Sequence, residues 1–207
     1  MKMNFKGVVM KKTICSIVFL VFSIPLFGQE KSESDRLNYI TMQLGFGIGV
    51  HDSVGINATL SFEKKIKDKP FSFYANYTLG DLVNGSNKKS IISNDKSIPV
   101  SEFRLVYNHF GGGVHYFPLN YNRGFKPYFG FGGYIGFNRH NFSVDIVEDI
   151  SDRAMDYGVY GAFGIRWMET RWSIGFEHRL GYNQTEILDE KKSTGLSEFC
   201  FIAVFKF

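Results

Sequence analysis

With 207 residues the chain has room for one domain, and too few for two separate cores once a targeting segment is set aside. Its 22 Phe, 11 Tyr and 22 Gly, against 5 Pro and 2 Cys, favour strands over helices. The formal charge of +4 comes from Lys2, Lys6, Lys11 and Lys12, which all precede the first acid, Glu30. The remainder is neutral and offers no basic footprint for nucleic acid.

Behind that lysine-rich start runs TICSIVFLVFSIPLFG, from Thr13 to Gly28. This is the layout of a secretory signal peptide, too short to span a membrane comfortably as a helix. Cleavage is expected between Gly28 and Gln29, although Leu26 is bulkier than the residue usual three positions before the cut. Met10 opens a complete signal by itself and is an equal candidate for the true start. Cys15, preceded by Ile14, does not resemble a lipoprotein cysteine. Cys200 is then alone, so no internal disulfide holds the fold. Residues 29–36 (QEKSESDR) read as a short polar lead, and 37–207 as the folded domain.

From residue 37 onward, apolar side chains alternate with polar or small ones at the strand period. Ile40, Met42, Leu44, Phe46, Ile48 and Val50 share one face of the first segment, opposite Gln43, Gly45 and Gly47. Val54 to Phe62 and Phe71 to Leu79 repeat the pattern. A fourth segment, 102–117, begins with Phe103, Leu105 and Tyr107 on the apolar face, then changes phase to Phe110, Val114 and Tyr116. A bulge near Asn108 and His109 is predicted there. Four more follow: 128–137, 157–167, 172–182 and 199–207. Eight strands need no helix.

The second, fourth and sixth connections (66–70, 118–125, 168–170) are short, while the third, fifth and seventh (81–101, 139–155, 183–195) are long. Only the first, 51–53, breaks the alternation. Membrane barrels show this asymmetry, with short periplasmic turns and longer loops outside. An even strand number puts both termini on the short-turn side.

Alternation alone does not say which face is inside. Each strand carries about five large apolar groups on one face, and an eight-stranded barrel encloses only a side-chain-filled interior. Turned inward, those groups would overfill it. Turned outward, they meet lipid, which also demands a closed sheet because unpaired backbone groups are costly in hydrocarbon. The prediction is an all-β, eight-stranded antiparallel up-and-down transmembrane β-barrel. Trp167, Trp172, Tyr116 and Tyr128, near short turns, are candidates for an interfacial girdle.

These residues resemble the small outer-membrane barrels of the OmpX/OmpA-like kind, the outer membrane protein beta-barrel domain family, over about Leu37 to Phe207. The C-terminal FCFIAVFKF, with Phe199, Phe201, Phe205 and Phe207, is similar to the aromatic signal read by the barrel assembly machinery. The resemblance implies a Gram-negative outer-membrane location after export, surroundings of outer-membrane lipid and lipopolysaccharide, and that assembly route. It implies little chemistry.

On the inferred inner face lie Glu63, Arg104, Arg166, Glu177, Arg179 and Glu198, charges that must pair in a narrow lumen. They are expected to form a salt-bridge network. An internal plug is favoured over a porin-like gated pore, because eight strands leave no open channel. His178 stands on the lipid-facing side, as in lipid A deacylases. Leu180 occupies the place where such a strand would offer a serine, however, and Glu177 points the other way, so no triad is expected. Asp145, Glu148, Asp149 and Asp152 read as a solvated acidic loop without a calcium-loop glycine. His109 and His115 are too isolated to suggest zinc. The glycines follow strand spacing, with no GxGxxG or phosphate loop.

No cofactor, metal or catalytic residue is expected. The leading reading is a non-enzymatic structural or surface-interaction barrel acting through its long loops, with the loop partner unnamed. A transport or secretion-accessory barrel is the alternative, and a lipid A-modifying enzyme comes third.

Overall fold

The computed structural model describes residues 38–49, 53–84, 89–93, 96–100, 102–119, 124–143, 150–169, 171–187 and 190–207. The expected signal peptide (1–28), the polar lead (29–36) and the loop acids Asp145, Glu148 and Asp149 lie outside them. No described helix is long and apolar enough to cross a membrane.

The strands are β1 (Asn38–Ile48), β2 (Val54–Lys65), β3 (Phe71–Asn84), β4 (Lys89–Ser93), β5 (Lys96–Val100), β6 (Glu102–Tyr116), β7 (Gly124–Ser143), β8 (Ile150–Met168), β9 (Trp172–Ile187) and β10 (Glu190–Lys206). Eight of them close into an antiparallel barrel in the order β1-β10-β9-β8-β7-β6-β3-β2, and β4 and β5 pair separately within the third connection. Closure runs from Tyr39 opposite Lys206 to Ile48 opposite Ser197. No sheet edge is left along that seam, which is the condition a chain in hydrocarbon must meet. At the β2–β3 turn Asp68 adopts φ 58°, a left-handed conformation that Asp tolerates, and Ile66 N–H donates to Phe71 O at 3.0 Å.

Burial is inverted relative to a soluble domain. Phe46, Phe110, Phe131, Phe137 and Phe176 are all at least 60% exposed, whereas Glu63, Arg166 and Glu177 are 2% exposed or less. On β7 the outward row from Phe125 to Phe137 climbs roughly 30 Å at ordinary strand rise and tilt, close to the thickness of a hydrocarbon core. Charged side chains on the outward rows begin beyond this belt, at Asp81 on β3, Arg104 on β6, Arg139 on β7 and Arg153 on β8.

Two sequence expectations need correction. The ladder of β6 runs unbroken against β3 and β7 through Asn108 and His109, so there is no bulge. Phe103, Leu105 and Tyr107 stay on the inward row and are buried with Leu82 and Phe142. The apparent phase change arises because the inward residues of upper β6 are themselves apolar. The fifth and seventh connections are also shorter than expected, since pairing continues to Phe142 opposite Ile150 and to Ile187 opposite Glu190. Beyond the belt the outward row turns polar, so the hydrophobic alternation ends while the hydrogen-bond ladder continues.

Candidate functional site

The lumen is filled in three layers. At the short-turn end, Tyr39, Phe117, Tyr128, Ile202 and Val204 form one apolar cluster. At the opposite end, Leu82, Phe103, Leu105, Tyr107 and Phe142 form another, with Leu196 packed on it. Glycines make room for the rings: a Cβ on Gly80 would lie 2.0 Å from the Tyr107 ring, and one on Gly164 would lie 2.5 Å from that of Tyr128. Polar and charged side chains occupy the space between the clusters.

Five of the six predicted lumen charges meet there. Arg166 Nη1 donates to Glu63 Oε2 at 2.8 Å, and Ser72 Oγ donates to Glu63 Oε1 at 2.5 Å. Arg179 Nε donates to Glu177 Oε1 at 2.6 Å, and its Nη1 lies 3.8 Å from Glu198 Oε2. Arg179 also donates to Gln43 Oε1. Tyr107 OH and Asn57 Nδ2 donate to Glu198 Oε1 at 2.7 and 2.9 Å. Both guanidinium groups lie over aromatic faces, Arg166 4.4 Å from the Tyr128 centroid and Arg179 5.4 Å from that of Tyr160. Each of these three carboxylates thus has a charge partner and neutral donors, the condition under which such burial is tolerated.

Arg104 is not part of this network. It stands on the outward row of β6 and donates from Nε and Nη2 to Asp81 at 2.8 and 2.5 Å. Because the β6 ladder carries no phase change, residue 104 falls on the opposite face to Phe103. Tyr128 is likewise misplaced as a girdle residue. It is 1% exposed and donates to Glu177 Oε2 at 2.5 Å, since on β7 Phe129 takes the outward row and leaves Tyr128 inside. Trp167, Trp172 and Tyr116 face outward near the short turns, with Phe125 edge-on to Trp167 at 4.5 Å. Phe199 and Phe201 face outward on β10; Phe205 lies opposite Ile40 and Trp172, and Phe207 is 40% exposed.

Several members of the network were not anticipated. His115 Nδ1 lies 3.3 Å from Glu63 Oε1, and its ring stacks on Tyr74. His109 Nε2 lies 3.0 Å from Asp156 Oδ2, which also accepts from Asn138 and Asn183. Their inward position follows from parity; their partners come from strands distant in sequence. A cavity of about 30 Å³ beside Tyr134, His109, Arg179 and Glu198 is large enough to hold water.

On the outer wall, His178 Nε2 and Ser197 Oγ are 2.9 Å apart. The strand pattern directs the search for a serine to the same strand and misses this one on the neighbouring strand. The His178 ring is stacked on Phe199 at 4.0 Å and meets Phe163 edge-on at 5.2 Å. Glu177, next to it in sequence, is in the lumen. Among the described residues no group of three or more His, Cys, Asp and Glu side chains could hold a metal ion.

No protein-family model matches the sequence, and neither does any curated protein. Solved structures do match. Neisserial surface protein A superposes with a TM-score of 0.54 at 15% identity, over 86% of this chain and 100% of that one. Two others are looser: Ail of Yersinia pestis, solved with a heparin analogue (TM-score 0.44, 11% identity, 83% of this chain and 99% of that one), and the N-terminal barrel domain of Pseudomonas aeruginosa OprF (0.44, 11%, 84% and 100%). The first of these likenesses establishes the fold: a closed eight-stranded antiparallel barrel of the outer-membrane kind.

Proposed function

We propose that the chain is exported, inserted into a bacterial outer membrane, and serves there as a non-enzymatic structural or surface-interaction barrel presenting its longer connections outside. The observation that carries this reading is the inverted burial: a belt of exposed Phe, Ile, Leu and Trp outside, and paired Arg and Glu inside. In water that belt would be an aggregation surface; in lipid it is the solvated face. The two apolar clusters that close the lumen favour this role over transport of solutes. Outer-membrane lipid and lipopolysaccharide are the surroundings proposed, and the loop partner is defined only as something met outside the cell.

Cell fractionation checks the location. The protein should be found in the outer membrane and migrate differently before and after boiling, because a closed barrel resists detergent until heated. Recovery as a soluble periplasmic protein would overturn the reading. Planar-bilayer recordings should show no steady conductance, and a reproducible ohmic pore would transfer the case to the transport alternative. Assembly by the barrel machinery through Phe199, Phe201, Phe205 and Phe207 is part of the same proposal. Deleting Phe205 to Phe207 should block insertion in cells while still permitting weaker folding into micelles; equal insertion in cells would count against the signal.

A second reading rests on the His178–Ser197 pair, which supplies a hydroxyl and an imidazole at the lipid surface. A lipid hydrolase would also need an orienting acid and oxyanion donors. Lipid A mass analysis with and without the gene tests it directly: loss of an acyl chain dependent on Ser197 would establish the enzyme.

A further inference from the structure

Just beyond the belt, the outward face of β7 and β8 carries a charge arrangement that sheets ordinarily avoid. Arg139 and Arg153 are directly opposed in the ladder. Arg139 stands one outward position past Phe137, and Arg153 one past Met155. Directly opposed residues bring their Cβ atoms to about 5 Å, where like charges destabilise. On the neighbouring strand Arg104 faces Asn141, diagonal to Arg139. Its bidentate pairing with Asp81 shows what a guanidinium at this height does when an anion is within reach. Among the described residues Arg139 has a neutral partner, its Nε donating to Ser151 Oγ at 3.0 Å. Arg153 is exposed, and among the described residues neither arginine pairs with a carboxylate.

We propose that Arg139 and Arg153 together bind the phosphate of an outer-leaflet lipid headgroup. The inference rests on the membrane reading above, because the depth of the pair is set by the belt. Phe137 and Met155 are 63% and 53% exposed, and Tyr157 occupies the next outward position below Met155. Tyrosine concentrates at the boundary between hydrocarbon and headgroups, so the two guanidinium groups stand at the level of the lipid phosphates. Their planar forks suit phosphate oxygens. One phosphate between them replaces a repulsive cross-strand pair with two charge-assisted hydrogen bonds.

The test uses the refolded barrel in mixed micelles containing lipid A or its dephosphorylated form, with retained lipid counted by native mass spectrometry. The wild-type protein should prefer the phosphorylated lipid by at least about tenfold, since even one of the two charge-assisted hydrogen bonds is worth that much. R139Q/R153Q should abolish that preference. Arg153→Gln alone, at an exposed side chain, should weaken it without disturbing the fold. Neutralising Asp145, Glu148 and Asp149 should leave the preference in place.

Equal retention of the two lipids by a wild-type barrel that shows the heat-dependent migration shift would overturn this inference and leave the membrane reading standing. So would a preference that survives in R139Q/R153Q. If inorganic phosphate displaces lipid A completely, the pair takes a soluble anion and the lipid assignment falls. A wild-type chain that enters no micelle or bilayer would strike the membrane reading itself, and this inference with it.

Discussion

Phe176 and Glu177 are neighbours on β9, yet the first is 64% exposed and the second 2%. A single step of the pleat separates two environments with opposite rules. On the outward wall an apolar side chain is at home and a charge is costly. On the inward wall a charge is retained because neighbouring side chains satisfy it: Glu177 pairs with Arg179, two residues along β9, and accepts from Tyr128 of β7 and Gln43 of β1. On the proposed membrane reading the two walls are stabilised by different physics, the outer by transfer into lipid and the inner by polar satisfaction without water. Substitutions that break one rule or the other should differ in what restores the lost stability more than in size.

The greatest loss is expected inside. Arg166→Met removes the 2.8 Å partner of Glu63 and leaves a buried carboxylate without its guanidinium, which costs about 3 to 5 kcal/mol. Reversible unfolding from lipid vesicles is the measurement. Glu63→Gln combined with Arg166→Met should recover much of the loss, because no charge is then stranded. If the double variant is as unstable as the single, the cost lies in packing against Tyr128 and Phe117 rather than in the charge.

On the outward wall the complementary error is Phe131→Arg. Phe131 is 67% exposed and lies midway between Phe125 and Phe137 on the outward row of β7, so the substitution should cost about 2 to 4 kcal/mol, as for a cation at the bilayer midplane. The same exposure in a soluble protein would make the change nearly neutral. A value within error of zero would therefore show that this face does not meet hydrocarbon.

How far the sequence could be read follows from the same contrast between walls. Where one wall is greasy and the other polar, as along β1, β2 and β9, period-two alternation shows both strand and face. It fails where the contrast fades. On upper β6 the inward Phe103, Leu105 and Tyr107 belong to the apolar cluster that closes the lumen, so they imitate lipid-facing residues and displace Arg104 to the wrong side. Above the belt the outward wall is polar, and β7 to β10 continue where loops were expected. Five lumen charges were legible because parity alone puts them inside. Their pairing was not, since Glu63 meets Arg166 from the far side of the barrel through a register that no local pattern records. The same blindness hid Ser197, which reaches His178 from the neighbouring strand.

That outer pair should give the mildest response and the closest check on how the outer wall treats polarity. His178 and Ser197 are polar groups on an otherwise apolar face, satisfied by each other at 2.9 Å. Ser197→Ala removes one partner and leaves the imidazole nitrogen facing hydrocarbon, so it should cost about 1 to 3 kcal/mol. Adding His178→Phe removes the stranded group, and the new ring can keep the packing against Phe163 and Phe199. The double variant should then unfold within about 1 kcal/mol of the wild-type chain, since replacing both partners by apolar groups is nearly neutral. A complete double-mutant cycle in vesicles separates this coupling from the packing of each ring. If the double variant is instead much less stable than Ser197→Ala, the histidine contributes something that Phe cannot, and its place on the lipid-facing wall would have to be explained by more than mutual satisfaction.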